Sequence, residues 1–449
     1  MNFLTLGSTA GLSIAALFSS LATAGEVPLP NEWGIELQCR SSLDSGTPAF
    51  NLPFPSSLSS QYVSIGETGD VAIRVIMSGS EGVFYGQDGS GSIAFSSPAP
   101  NDPIWSSSLD LRNGMIAIEQ GGFGDGAQLY STNGSLIHNF PAGGSEGVSG
   151  FTGITLTSDG AICYRADSGS IDKIIIDEYI DGVRTQTNAA QTGDGEYSFL
   201  FSPEINDSRT IVTNTIPQSG PSRRIVRINP DLSTVVLQET GEGYNAFVNS
   251  VAIAQDGTSA FTVRYAHDST WQVNRGVFAI AHSGDSDIQN GSLANFPPVV
   301  NSSGWVAFRA TDISNDATAL WVGNADELAK IVEWDQMIDT DLGPIALGFD
   351  FGGLTGRQVM NGVIDINDEG QVAFSAFLRN GTIGVFVTSP IDVPCPADFT
   401  GDGQLNFFDV SLFLNLYAQG DPLGDTNQDG EFNFFDMTQF ISWYNDGCL

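Results

Sequence analysis

Between residues 25 and 389 the chain alternates apolar and polar positions in short runs, broken every few residues by Gly, Asn, Asp and Ser, and no long helical period occurs. Period-two alternation turns one face of each run toward a core, so this region is predicted to be all β. One phrase, a turn followed by an alternating strand, recurs seven times: GETGDVAIRV at 66–75, LRNGMIAIEQ at 111–120, TSDGAICYRA at 157–166, NDSRTIVTNT at 206–215, AQDGTSAFTV at 254–263, NSSGWVAFRA at 301–310 and NDEGQVAFSA at 367–376. The turn positions step by 45–49 residues, except for a last step of 66 that holds an insertion near residues 335–355. A further strand commonly follows, as in GVFYGQDG at 82–89, ALWVGNAD at 319–326 and TIGVFVTS at 382–389. Forty-odd residues suit one four-stranded blade, and blades repeated around an axis leave only short, protected edges, so the pattern predicts a seven-bladed β-propeller.

The pattern changes near the C-terminus. DFTGDGQLNFFD at 398–409 is written again as DTNQDGEFNFFD at 425–436. Calcium takes six to eight oxygens, which a twelve-residue loop supplies from positions 1, 3, 5, 7, 9 and 12 around a sharp turn at position 6. The second loop offers Asp425, Asn427, Asp429 and Asp436, the Glu431 carbonyl and Asn433; the first offers Asp398, Thr400, Asp402 and Asp409, the Gln404 carbonyl and Asn406. Two calcium ions are therefore expected, the first held more weakly because the Thr400 hydroxyl is a poorer donor than Asn or Asp. Val410, Phe413, Leu414 and Tyr417, and again Met437, Phe440, Ile441 and Tyr444, follow at helical spacing. Pro396 before the first loop, with Pro422 and Gly424 before the second, rules out entering helices. A small all-α calcium-binding domain is predicted, in which the metal is structural, since a sensor opens entering against exiting helices.

These two loop-helix halves resemble the type I dockerin module over residues 395–449, and the doubled NFFD with terminal Gly447-Cys448 is similar to the GC-type dockerin-like anchoring domain of bacterial secreted proteins. The resemblance implies paired antiparallel helices around bound calcium and calcium-dependent docking to a cohesin-like or other surface docking protein. Positions 10 and 11, small hydroxyl residues in cellulosomal dockerins, are Phe407-Phe408 and Phe434-Phe435 here, which points away from an ordinary cohesin. The four rings either fill the core of the small module or form an exposed partner-binding face. The phrase NxxGxVAFxA also resembles tandem repeats of large bacterial secreted proteins. The better-known propeller signatures are missing: Trp334-Asp335 is a lone WD, and no SxDxGxTW box occurs.

Cys395 and Cys448 stand at the two ends of the module. So small a domain buries little core, and a disulfide closing it would stabilise it by roughly 4 kcal/mol, so the pair is expected to be bonded. That requires an oxidising compartment. LSIAALFSSL at 12–21 followed by Ala22-Thr23-Ala24 reads as a signal peptide, too short to span a bilayer. The expected organisation is a signal peptide at 1–24, a propeller at 25–389, a linker at 390–394 and the calcium module at 395–449, in a secreted or surface-displayed protein with no membrane span after cleavage. Cys39 and Cys163 lie in separate repeats and are read as unpaired.

With 52 acidic residues against 16 basic ones, the net charge of −36 excludes nucleic acid and anionic membranes as partners. No catalytic residue is identified: His138, His267 and His282 sit in unlike contexts, HExxH and GxSxG are absent, and no carboxylate pair stands out among so many. Arg74, Arg165 and Arg309 share the position five residues past the turn. Either they form a ring facing the channel that grips an anionic polysaccharide, or each pairs with a neighbouring carboxylate. The sequence thus reads as a non-catalytic recognition or scaffold propeller carried by a docking module. The alternative is a carbohydrate-active enzyme, a glycoside hydrolase or lyase, docked into a polysaccharide-degrading assembly.

Overall fold

The computed structural model describes residues 26–44, 46–97, 108–120, 126–241, 244–247, 251–266, 270–285, 287–289, 291–294, 296–352, 356–391, 397–400, 405–427 and 430–446. Among them the strands form the seven blades of a β-propeller, whose four core strands pair antiparallel in each blade. Blade one runs Ser56–Ile65, Val71–Met77, Ser80–Gln87 and Ser90–Ser96; blade two Leu109–Arg112, Met115–Glu119, Gly126–Ser131 and Leu136–Pro141. Blade three is Ser149–Leu156, Ile162–Ser168, Ile171–Ile180 and Val183–Gln191, and blade four Tyr197–Ile205, Ile211–Pro217, Arg224–Ile228 and Thr234–Glu239. The first strand of blade five comes in two pieces, Tyr244–Phe247 and Ala252–Ile253, both paired with Ser259–Tyr265, ahead of Trp271–Arg275 and Phe278–His282. Blade six is Val299–Val300, Val306–Asp312, Ala317–Gly323 and Leu328–Val332.

Blade seven takes only three strands from its own repeat, Met360–Ile366, Val372–Phe377 and Ile383–Ile391. Its outermost strand, Glu32–Arg40, comes from the other end of the chain and pairs antiparallel with Ile383–Ile391. The ring is thus closed by a strand that no repeat in the sequence marks. That pairing carries the last propeller strand through Pro390 to Ile391, two residues past the boundary expected from the sequence. The insertion behind the long last step forms the hairpin Met337–Thr340/Gly343–Ala346 and the short strands Phe349–Asp350 and Arg357–Gln358.

The recurring phrase is the hairpin between the first and second strands of each blade. Its fourth residue lies in the left-handed region in every copy, at φ 84° for Gly69, 69° for Gly114, 91° for Gly160, 64° for Arg209, 90° for Gly257, 82° for Gly304 and 76° for Gly370. Glycine enters that region without a Cβ clash, which explains its recurrence; blade four places an arginine there instead. The polar residues of the phrase have a different cause, because among the described residues they hydrogen-bond the turn of a neighbouring blade at six of the seven junctions. Asn113 donates to the Ser158 carbonyl at 2.8 Å, the Ser158 amide to Asp207 at 2.8 Å, and the Asp207 amide to Gln255 at 2.9 Å. Past blade five, the Ser302 amide donates to Asp368 at 2.8 Å, and Asn367 donates to the Gly66 carbonyl at 3.0 Å, back in blade one. A belt of polar side chains thus fixes the blades in rotation.

The apolar faces meet between blades. Val71, Ile73 and Phe84 of blade one pack on Val385 and Val387 of blade seven, Ile116 and Ile118 on Val83 and Leu109 at the next junction, and Trp305, Leu320, Phe374 and Phe386 between blades six and seven. Cys39 and Cys163 are buried, free thiols within these layers, and burial raises both well above the usual thiol range. The C-terminal region contributes two helices, α1 (Phe407–Gln419) and α2 (Phe434–Asp446), joined by a one-turn 3-10 helix at Pro422–Gly424. No helix among the described residues is long and apolar enough to cross a membrane.

Candidate functional site

The two loop-helix halves of the tail repeat each other in their bonding. Asn406 caps α1 by accepting from the Phe408 amide at 2.8 Å, while Asp409 reaches back to accept from the Asn406 amide at 2.8 Å; Asn433 and Asp436 make the same two bonds at the start of α2, both 2.8 Å. This reciprocal arrangement is a capping box, and the N-x-x-D spacing was its signal in the sequence. Asn406 and Asn433, assigned above as ninth-position ligands, therefore use their side-chain oxygens as helix caps.

The twelfth-position aspartates are fully buried. Asp409 also accepts from the Thr400 amide at 3.0 Å and the Thr400 hydroxyl at 2.8 Å, and that hydroxyl lies 3.2 Å from Asp398. In the second loop Asp436 accepts from the Asn427 amide at 3.4 Å, and Asp425 from the Gly430 amide at 2.8 Å. Positions 1, 3 and 12 thus converge in both loops, with the carboxyls of Asp398 and Asp409, and of Asp425 and Asp436, close enough to hydrogen-bond. Burial pushes the Asp409 carboxyl up, but the bonds from Asn406 and Thr400 outweigh it and hold the group below the usual range; the Asn433 amide leads the same effect at Asp436. Carboxyls that converge in this way, beside hydroxyl and amide oxygens, are a donor set of the kind a hard divalent ion takes. Glu431 lies within the described part of the second loop, whereas Asp402, Gln404 and Asp429 fall outside the described residues, as do Cys395, Cys448 and residues 1–24.

The core of the tail is made by other aromatics. Phe413 and Phe440 stack with centroids 4.1 Å apart, and Phe399 meets them edge-on at 5.4 and 5.5 Å. Phe407, Phe408, Phe434 and Phe435 are left 75, 68, 71 and 67% exposed, at the N-terminal ends of the two helices. Of the two readings open from the sequence, core filling is therefore taken by Phe399, Phe413 and Phe440.

The innermost strands of successive blades touch around the axis and line a channel of about 230 Å³. Asp110, Glu204 and Asp365 reach it from the strands, Glu67 and Asp368 from the turns, and Arg112 brings a basic group. The Ser64 hydroxyl lies 3.1 Å from Asp110 and 2.9 Å from Asp365, and accepts from the Leu111 amide at 3.1 Å. The Ser64 hydroxyl thus stands between the two acids and links them. Burial, then the Asp110 charge, drives Asp365 up to about 6 despite its bonds from the Ile65 amide and Ser64. Burial and the charges of Asp110 and Asp365 raise Glu204 well above the usual range. Sequence reasoning missed this group among so many acids, yet a signal existed: Ser64, Thr155, Glu204 and Asp365 all stand five residues before the turn position and all line the channel.

The three arginines read as a ring are not brought together, and none lines the channel. They lie on second strands. Arg74 forks onto Glu81 at 2.6 and 3.1 Å, and Arg165 meets Asp172 at 3.0 Å beneath the Phe199 ring, whereas Arg309 is buried beside Phe296. His138 stacks on Tyr179 at 4.1 Å and His282 meets the Thr270 hydroxyl at 3.0 Å; His267 is outside the described residues.

Residues 279–400 match a family of unknown function, DUF7453; the segment begins in the outer strand of blade five and ends inside the first of the two repeated loops, 398–409. No curated protein matches the chain. Among solved structures, the WD40 domain of Toxoplasma gondii coronin is 9% identical with a TM-score of 0.46, covering 82% of this chain and 89% of that one. The Dos1 propeller is 11% identical with a TM-score of 0.38, covering 80% and 95%. The WD40 domain of SCAP from fission yeast is 9% identical with a TM-score of 0.39, covering 80% and 98%.

Proposed function

We propose that this chain is a secreted or surface-displayed recognition and scaffold propeller, held in place by a calcium-dependent, dockerin-like C-terminal domain. The observation that carries the reading is the duplicated tail: in each half the carboxylates at positions 1 and 12 converge, while the Phe pair beside them stays out of the core. Calcium would be held by Asp398, Thr400, Asp402, Asp409 and the Gln404 carbonyl in the first loop, and by Asp425, Asn427, Asp429, Asp436 and the Glu431 carbonyl in the second. Its charge would relieve the repulsion in a segment that carries no Lys or Arg from Cys395 onward. The Phe pairs are the contact surface for a cohesin-like or other surface docking protein. Calcium titration of the full chain should register two ions, with retention on the host surface fraction lost on chelation. No calcium binding up to millimolar concentration would sink the reading.

A specific observation keeps the carbohydrate-active alternative in view: raised carboxyls in a cavity are what general acids need. Against it, the channel volume falls below the roughly 300–1,000 Å³ of ordinary small-molecule sites. Assay of Asp365→Asn and Glu204→Gln on a polysaccharide panel decides this, since a wild-type activity lost in both variants would establish the enzyme.

A further inference from the structure

The wall between blades six and seven contains donors without acceptors. Arg309, on the second strand of blade six, is only 4% exposed, and neither its Nε nor its Nη1 has a hydrogen-bond partner. Its Nη2 makes one long contact, 3.4 Å to the Met360 carbonyl, and its Cζ lies 3.6 Å from the centroid of the Phe296 ring. Among the described residues no carboxylate pairs with it, whereas Arg40, Arg74, Arg184 and Arg275 each fork onto one. Beside Met360, Asn361 is 7% exposed, and its side-chain Nδ2 also lacks an acceptor. The pairing of blade seven's first two strands breaks between Met360 and Ile364, which takes this stretch of backbone out of the ladder.

Burying a guanidinium without a counter-charge is among the costlier arrangements a fold can hold, and each unmade donor adds a desolvation penalty. Burial alone pulls Arg309 down to about 9, so it stays charged at neutral pH. A cation would be repelled here. A water molecule would supply an acceptor but no charge, while an anion supplies both. The surroundings set its size, because Ala307, Met360 and Ile364 pack the same interface as buried core.

We propose that Arg309 and Asn361 form a buried site for a small monovalent inorganic anion, of the chloride class, between blades six and seven. The site joins the second strand of one blade to the first strand of the next and acts as a charged rivet at that junction. Bromide is the probe. Crystals of the full chain grown in bromide should give an anomalous peak between the Arg309 guanidinium and the Asn361 amide. Exchanging gluconate for chloride at constant ionic strength should raise the melting temperature by about 2–4 °C, against the general trend that favours the more strongly hydrated anion. Arg309→Met removes charge and site together, so it should still fold, and the chloride increment should vanish; Asn361→Ala should keep the fold and reduce the increment. The absence of an anomalous peak, or an increment of the same size in Arg309→Met, would mean that water fills the gap and would overturn the proposal.

Discussion

Arg40 forks onto Asp341, Nε to Oδ1 at 2.9 Å and Nη2 to Oδ2 at 2.7 Å, and the same Nη2 donates to the Pro48 carbonyl at 2.8 Å. Arg40 ends the N-terminal strand that completes blade seven, and Asp341 sits at the tip of the inserted hairpin. The insertion therefore clamps the seam of the ring. Removing one partner of a buried pair leaves the other charge stranded, so Asp341→Ala is expected to cost about 3–5 kcal/mol in denaturant unfolding. Amide exchange should show faster opening of residues 32–40 first. If exchange there is unchanged while the protein is destabilised elsewhere, the clamp is not what holds the seam.

Asp365 makes the propeller's stability pH-dependent from within. Its folded-state value of about 6 lies above the ordinary 3.8, so the folded chain holds the proton more tightly than the unfolded one. The contribution is fully present below the unfolded value and is lost as pH rises through about 6. The charges of Asp110 and Arg112 act on Asp365 directly, and those of Glu67 and Asp207 act on Arg112 beside it. Asp365→Asn keeps an amide beside Ser64 and removes the titration. It should stabilise the protein by on the order of 1–3 kcal/mol at pH 7–8 and flatten the slope of stability between pH 4 and 6. A slope identical to wild type would refute the assignment.

How far the sequence reaches depends on whether a constraint is local. The turn glycines are legible because left-handed backbone is a property of one residue, and the two loop-helix halves of the tail because each repeats within a few tens of positions. The capping role of Asn406 and Asn433 is equally local, hidden only because the same residues also fit a ligand schedule. The closing strand Glu32–Arg40 carries no turn phrase, since its partner lies some 350 residues away, and nothing local marks that register. The Asp110–Ser64–Asp365 contact joins three blades, so it appears only once the ring is closed. The arginines at equivalent repeat positions share a backbone place, but Glu81 and Asp172 differ from blade to blade and decide what each one does.

The tail separates buried aromatic rings from exposed ones, and the proposed docking role predicts a different outcome for each. Phe440→Ala removes one of two stacked, buried rings and should cost about 3–5 kcal/mol, enough to unfold so small a domain. Phe435→Ala and Phe408→Ala change exposed rings and should leave calcium-loaded stability within about 0.5 kcal/mol while weakening retention on the host surface fraction. Circular dichroism melts with and without chelator measure the first, pull-down the second. Loss of stability in Phe435→Ala would place that ring in the packing instead.

Arg209 tests what the left-handed turn position requires. At φ 64° its Cβ costs roughly 1–2 kcal/mol relative to glycine, the residue at that position in the other copies of the phrase. Its guanidinium meets Asp159 at 2.9 Å and Glu178 at 2.8 Å, both on blade three, so strain in one blade is offset by ion pairs to the next. Asp159 is largely exposed and Glu178 partly so, and each pair contributes about 0–1 kcal/mol. Arg209→Gly loses the pairs and the strain together and should fall within about 1 kcal/mol of wild type. Arg209→Ala loses the pairs and keeps the strain, so it should be less stable than Arg209→Gly by about 1 kcal/mol or more. Added salt, which screens the wild-type pairs, should narrow the gap between wild type and Arg209→Gly and leave the Ala–Gly difference intact. Equal stability of the two variants would show that the backbone at this turn relaxes, and that the glycine of the phrase is there for a reason other than strain.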